Sequence, residues 1–298
     1  PCAARPDGPS RGRGASRIAA FLFPGVGRMA GELKVGIAGL GAIGLHLAKA
    51  LDRGVEGLRL VAVSARDRAK AEANLAGFRS RPKLVPLAAL ADEADIVVEA
   101  APAAVFEEVA RAAIARGRIF VPSSVGALLP RMQLVEEAKR TGARIVVPTG
   151  ALLGLDAVRA AAEGEVESVT IQTRKPPRGL AGAPYLEQHG IDVAAITEPT
   201  CVFRGNAYDA AQGFPANVNV AAALALAGIG PERTMVEIWA DPAQTRNKHT
   251  ILVEAASARL SMTIENVPSE ENPRTGMITP LSILACLRGL TSTLKVGS

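Results

Sequence analysis

Short, unbroken apolar runs recur along the first half of the chain, separated by stretches of mixed charge. Lys34-Val-Gly-Ile-Ala38, Leu58-Arg-Leu-Val-Ala-Val63, Ala94-Asp-Ile-Val-Val-Glu99, Ile119-Phe-Val121 and Ala143-Arg-Ile-Val-Val147 are these runs. They suit strands covered on both faces. Leu45 to Leu51, Ala104 to Arg116 and Met132 to Thr141 read as the helices between them. Such alternation predicts a parallel sheet with right-handed crossovers. The texture changes after Pro148. Val166 to Thr173, Thr234 to Trp239 and Arg259 to Ile264 alternate apolar with polar residues, which means a sheet with one wet face. The almost wholly apolar Val218 to Ala227 is the helix expected on the dry face, and Ile278 to Leu290 a helix returning to the first unit.

Composition adds limits. The 298 residues, 48% hydrophobic, suffice for two cores, and an aromatic content of 3% makes those cores aliphatic. No apolar run approaches the roughly 20 residues of a membrane-spanning helix. Of the formal net charge of +5, residues 1–28 hold +4 through Arg5, Arg11, Arg13, Arg17 and Arg28 against Asp7. The chain from Met29 onward carries only +1, so neither nucleic acid nor an anionic membrane is an expected partner. The Gly-, Pro- and Arg-rich segment before Met29 is expected to be a tail that adds nothing to the fold. Cys2, Cys201 and Cys286 are far apart and lack metal or disulfide spacing. They fit a reduced cytoplasmic compartment, with Cys201 and Cys286 as buried small hydrophobes and no metal site.

Gly39-Leu-Gly41-Ala42-Ile43-Gly44 follows the first buried run directly and opens a helix, with the second strand ending about 20 residues further on. In that setting the three glycines mark a dinucleotide site. Gly39 permits the tight turn, Gly41 lets the backbone approach a pyrophosphate, and Gly44 lets helix and strand pack closely. The N–H groups around Ala42 and Ile43 then face the phosphates at the positive end of the helix. The fold class is thus α/β, a Rossmann-type parallel sheet domain plus a second α+β domain with a mixed, one-face-exposed sheet. Residues 1–33 are the expected tail, 34–148 with 273–298 the dinucleotide-binding domain, and 149–272 the substrate domain. The cofactor is NAD or NADP. Where an acid usually holds the ribose stands Ser64, followed by Arg66 and Arg68. A hydroxyl beside guanidinium groups admits a 2′-phosphate that an acid would repel. The same arginines also suit a solvated helix start, which keeps both cofactors open.

Three histidines are candidates for proton chemistry. His46 lies in the first helix and reads as a surface or structural residue, and His189 sits in a loop without periodic context. His249 opens the apolar run Ile251-Leu-Val253 after the polar loop from Ala243 to Lys248. There it either faces the cofactor cleft or belongs to a surface loop.

A wider set of motifs narrows the choice. GLGAIG is joined by Val98-Glu-Ala-Ala-Pro102, Ser124-Val-Gly-Ala-Leu128, Pro148-Thr-Gly-Ala-Leu-Leu-Gly-Leu-Asp156 and Arg174-Lys-Pro-Pro177. Phe214-Pro-Ala-Asn-Val-Asn-Val-Ala221, Ala240-Asp-Pro242 with Asn247 and His249, and Asn272-Pro-Arg-Thr275 complete it. Together, in order from Lys34 to about Leu290, they resemble the L-aspartate dehydrogenase family. The resemblance implies oxidative deamination of L-aspartate to iminoaspartate, hydrolysed to oxaloacetate and ammonia, reversibly and with a link to NAD biosynthesis. It implies a cytoplasmic homo-oligomer, His249 as the catalytic residue, and cofactor contacts at Ala151 and Asn219. Asn219 also suits a helix cap. A dicarboxylate needs fixed positive charge, for which Arg174 and Lys175 are the nearest source, though the pair also reads as a solvated strand end. Two other readings stand beside this one: a related reductase of the dihydrodipicolinate reductase or homoserine dehydrogenase type, and a dinucleotide-binding regulator without turnover.

Overall fold

A computed structural model of the protein describes residues 31–269 and 276–297. Most of the expected tail and the Asn272-Pro-Arg-Thr275 motif lie outside the described residues. The first sheet is built in chain order from β1 (Leu33–Ala38), α1 (Ala42–Arg53), β2 (Leu58–Ser64), α2 (Arg68–Leu75), β3 (Lys83–Leu84), α3 (Leu90–Glu93) and β4 (Ile96–Glu99). It continues with α4 (Phe106–Ala115), β5 (Ile119–Pro122), α5 (Gln133–Thr141) and β6 (Arg144–Ile145). The six strands are all parallel in the order β3-β2-β1-β4-β5-β6. Chain direction across the sheet therefore reverses between β1 and β4, which leaves a crevice at their C-terminal ends. β1 begins at Leu33, a buried residue paired with Leu58, so the expected tail boundary at residue 33 falls inside a strand.

The second sheet follows α6 (Leu155–Ala162). Its elements are β7 (Val166–Lys175), α7 (Pro184–Gln188), β8 (Thr200–Asn206), α8 (Ala207–Gly213), α9 (Asn219–Ala227), β9 (Thr234–Ala240), β10 (Asn247–Ala255) and β11 (Arg259–Asn266). The order is β11-β10-β7-β9-β8, with β7 and β9 parallel and the other pairs antiparallel. The sheet is mixed, in keeping with the expected fold class. On its dry face α9 buries Val220 to Ala225, and Phe203 packs edge to face against Tyr185 at 5.1 Å and Phe214 at 5.4 Å. The opposite face mixes polar Thr170, Gln172 and Thr250 with part-exposed Met235 and Leu252.

α10 (Ile278–Thr291) closes the chain. Its Ile283 and Leu287 share one apolar cluster with Leu47 and Leu51 of α1 and with Ile37, Val63 and Val98 of the first sheet. Cys201 and Cys286 are half-buried, less enclosed than expected: Cys286 packs at the edge of the cluster shared by α1 and α10, and Cys201 stands where the register of β8 slips. Burial still pushes both thiols upward, away from the thiolate form.

Candidate active site

The glycine loop is shaped by close approaches. Gly39 has φ of +95°, and a Cβ there would run into the Ala100 carbonyl. A Cβ on Gly44 would collide with the Gly39 carbonyl. Gly41 differs, since a Cβ there would meet nothing and project into open space. It is the N-cap of α1, with no side-chain cap and no acidic residue in the first turn. The N–H groups of Ala42, Ile43 and Gly44 therefore have no intrahelical acceptor, which is what a pyrophosphate needs at this end of a helix. These features fit a dinucleotide.

A cavity of about 1140 Å³ starts at this loop and runs across the crevice to the second sheet. At one end lie Ser64, Arg66, Arg68 and Lys70. Ser64 is buried as the last residue of β2, and its carbonyl accepts the Gly39 N–H at 2.7 Å. The nearest acid, Asp67, is engaged elsewhere: its carboxylate caps α2 by accepting the Lys70 N–H at 2.9 Å. The middle of the cavity is lined by the segments after β4 and β5, with Ala101 and Ser124. Ala151 lies beside them, its carbonyl accepting from Asn266 Nδ2 at 2.8 Å.

At the far end His249 and Lys175 line the cavity together. His249 is the third residue of β10, not a residue of the preceding loop, and it is only 3% exposed. It pairs in register with Thr173 of β7, and its Nδ1 shares a 3.0 Å hydrogen bond with Thr173 Oγ1. That bond fixes the ring and leaves Nε2 as the nitrogen for chemistry. Burial, and then the charge of Lys175, lower the His249 pKa from 6.5 to about 3. The imidazole is thus neutral throughout the physiological range.

This has a consequence for stability. The unfolded chain protonates His249 below about 6.5, whereas the folded chain resists until about 3. The stabilisation from keeping it neutral is complete above 6.5 and is lost as pH falls from 6.5 toward 3. We expect His249→Gln to flatten the acid limb of a melting-temperature profile across that window. A limb of unchanged steepness would place the acid sensitivity in other groups.

The basic pair at the end of β7 is separated by the alternation of a strand. Lys175 is buried and its Nζ donates to Asn217 Oδ1 at 2.6 Å, in the loop before α9. Arg174 is on the other face, with its guanidinium 4.3 Å from the Trp239 ring centroid and 3.7 Å from Asp241. The expectation that both cations face a substrate is corrected: Arg174 is committed outside the cavity. Asn219 is also not a cap of its own helix. Its Oδ1 accepts the Gly126 N–H at 2.9 Å, joining α9 to the segment after β5. His189, expected in a loop, ends α7 and stacks on Tyr185 at 3.9 Å, and His46 is exposed on α1. Thr173, Asn217, Asn247 and Asn266 are site residues that the sequence reading missed. Period-two spacing from Lys175 and His249 was the available signal for Thr173 and Asn247.

Two family models match the chain. The model described as "Homoserine dehydrogenase, NAD binding domain" spans residues 39–148, and "Aspartate dehydrogenase, C-terminal" spans 156–290. The chain is 55% identical over 267 residues to an L-aspartate dehydrogenase of Bradyrhizobium diazoefficiens, covering 90% of this chain and 95% of that protein. It belongs to the L-aspartate dehydrogenase family. A second member, L-aspartate dehydrogenase 3 of Bordetella bronchiseptica, is 51% identical over 90% of this chain and 98% of its own. The crystal structure of aspartate dehydrogenase from Thermotoga maritima matches with a TM-score of 0.66 at 28% identity, over 89% of this chain and all of that one. As a member of this family the chain is an oxidoreductase with NAD or NADP as cofactor. Among the described residues no helix is long and apolar enough to cross a membrane.

Proposed function

We propose that the chain converts L-aspartate to iminoaspartate by oxidative deamination, with hydrolysis to oxaloacetate and ammonia, and that it also runs in reverse. The observation that carries this reading is the meeting of His249 and Lys175 in the cavity that begins at the glycine loop. When bound, the nicotinamide cofactor supplies the acceptor for the hydride leaving Cα. Gly39 to Gly44 hold its phosphates, and Ala151 and Asn219 line the middle of its path. Lys175, steadied by Asn217, holds a substrate carboxylate. His249, oriented by Thr173, takes a proton at Nε2 from the amine or from the water that attacks the imine.

The low proton affinity of His249 is itself informative. Lys175 is its second cause, and a bound dicarboxylate offsets that positive charge. Substrate binding thus raises the basicity of His249 when a proton acceptor is needed. An assay of the purified protein with L-aspartate and each oxidised cofactor, beside D-aspartate, L-glutamate and L-homoserine, tests the reading. Turnover of L-homoserine above L-aspartate would overturn it.

The ribose end favours the 2′-phosphate of NADP. Arg66, Arg68 and Lys70 line it, and the carboxylate of Asp67 is turned to its own helix. Ser64→Asp is expected to weaken NADPH binding by about tenfold or more, the size of one lost charge interaction, and NADH binding far less. Fluorescence titration with both reduced cofactors reads this, and equal losses would mean that the end of β2 is misassigned. We further infer a cytoplasmic homo-oligomer. The free thiols of Cys201 and Cys286 support a reducing compartment. Part-exposed Met235 and Leu252 on the wet face of the second sheet support association with a second copy, which sedimentation measures. Iminoaspartate released before hydrolysis would suit NAD biosynthesis.

A further inference from the structure

Glu99 is the last residue of β4, paired with Ala38 of β1 on one side and Pro122 of β5 on the other. It sits at the crevice where the direction of the first sheet reverses. Its side chain is fully buried at 0% exposure, on the face of the sheet that also carries the apolar Ala38 and Val97. A carboxylate in that position costs several kcal/mol in lost hydration unless its oxygens are well supplied with donors. They are supplied. Oε1 accepts the Ala101 N–H at 3.1 Å and the Ser124 hydroxyl at 3.1 Å, while Oε2 accepts the Ser124 N–H at 2.9 Å. The Glu99 carbonyl accepts the Ser123 N–H at 2.9 Å.

Each of these donors belongs to a segment lining the middle of the cavity, and the two segments come from different strands. Glu99 is the clamp that holds one against the other. The link continues outward, since Gly126 in the second segment donates to Asn219 on α9. One buried carboxylate therefore connects the C-terminal ends of β4 and β5 to the helix under the second sheet. An apolar residue of similar volume would fill this position at lower cost, yet would leave the Ala101 and Ser124 donors unpaired. Burial pushes the carboxyl upward, and the surrounding N–H and O–H groups oppose that shift.

We propose that Glu99 is a positioning residue for the hydride transfer, setting the cavity wall against which the nicotinamide half of the cofactor lies by fixing Ala101 and Ser124. The inference rests on the placement of the cofactor proposed above. It acts through these two residues and not by touching cofactor or substrate.

The test compares wild type with Glu99→Gln, Ser124→Ala and the double variant. Circular dichroism and melting temperature report folding, fluorescence titration gives the reduced-cofactor Kd, and steady-state kinetics give kcat and KM. Glutamine keeps the volume but turns an NH2 group toward donors. Glu99→Gln is therefore expected to raise the cofactor Kd about tenfold and to lower kcat, with KM for L-aspartate near wild type. Ser124→Ala leaves the backbone N–H bond in place, so a smaller rise is expected. The double variant should be no worse than Glu99→Gln alone, because both act through one clamp. A folded Glu99→Gln with wild-type Kd and kcat overturns the inference, as does a lowered melting temperature with both constants intact. Should Glu99→Gln not fold, Ser124→Ala decides alone: a wild-type Kd and kcat there overturn the proposal. Wild-type protein that binds neither reduced cofactor would instead overturn the site reading itself.

Discussion

His249→Ala should lose about 10²- to 10⁴-fold in turnover of L-aspartate while its affinity for reduced cofactor stays within about twofold, since that is what one general acid–base group contributes. The split follows from placement. His249 is on β10, its Nδ1 is tied to Thr173, and the phosphate-holding N–H groups belong to α1 in the other sheet. The pH dependence should be equally telling. With its pKa lowered to about 3, His249 does not titrate near neutrality in the free enzyme. The profile of kcat/KM reports free-enzyme groups, so it should show no inflection near 6.5 from this residue. Rate should instead climb toward alkaline pH, because only the neutral amine of the substrate yields the imine readily. His249→Gln, which keeps a polar group beside Thr173, should match His249→Ala in turnover and exceed it in melting temperature. Full activity in His249→Ala, with an unaltered profile, would return this residue to a purely structural role.

The order of strands and helices in the first sheet was legible because its strands are buried on both faces. Each stands out as an apolar run whatever its neighbours. β8 was missed for a physical reason. The register slips between Cys201 and Phe203, so the consecutive Val202 and Phe203 are both buried and no period of two survives. The start of β10 was hidden differently. Asn247 and His249 face the cavity, so the inward positions that normally announce a strand are polar.

The candidate site was legible in part. The glycine loop, Ser64, Lys175 and His249 all line the cavity where chemistry is expected. Arg174 was over-read although the rule that separates it from Lys175 is elementary, since neighbouring residues of a strand point to opposite faces. The partners of Asn219 and Glu99 were beyond reach. Gly126 lies 93 positions from Asn219, and nothing local in either segment announces the bond. Hydrogen bonds that join different strands at their C-terminal ends are set by topology, and a lone sequence shows topology only in outline.

Lys175→Met should raise KM and lower kcat/KM for L-aspartate by roughly 30- to 700-fold, the loss of about 2–4 kcal/mol that follows removal of one partner from a desolvated charge pair. Methionine matches the length of the lysine stem and suits a position only 5% exposed, so the fold should persist although Asn217 loses its donor. Cofactor affinity should not move, because the loop that holds the phosphates is at the other end of the cavity. The sharper readout is a substrate without the second carboxylate. If Lys175 holds the side-chain carboxylate, the slow turnover of L-alanine should be nearly the same in wild type and variant, which abolishes the preference for L-aspartate. If it holds the α-carboxylate, both substrates should suffer alike, and its role in choosing a dicarboxylate is lost. A third consequence concerns His249. Lys175 is one of the two causes that depress its proton affinity, so removing the charge should raise the His249 pKa, readable by proton NMR of the ring. A KM for L-aspartate equal to wild type would remove Lys175 from the substrate site altogether.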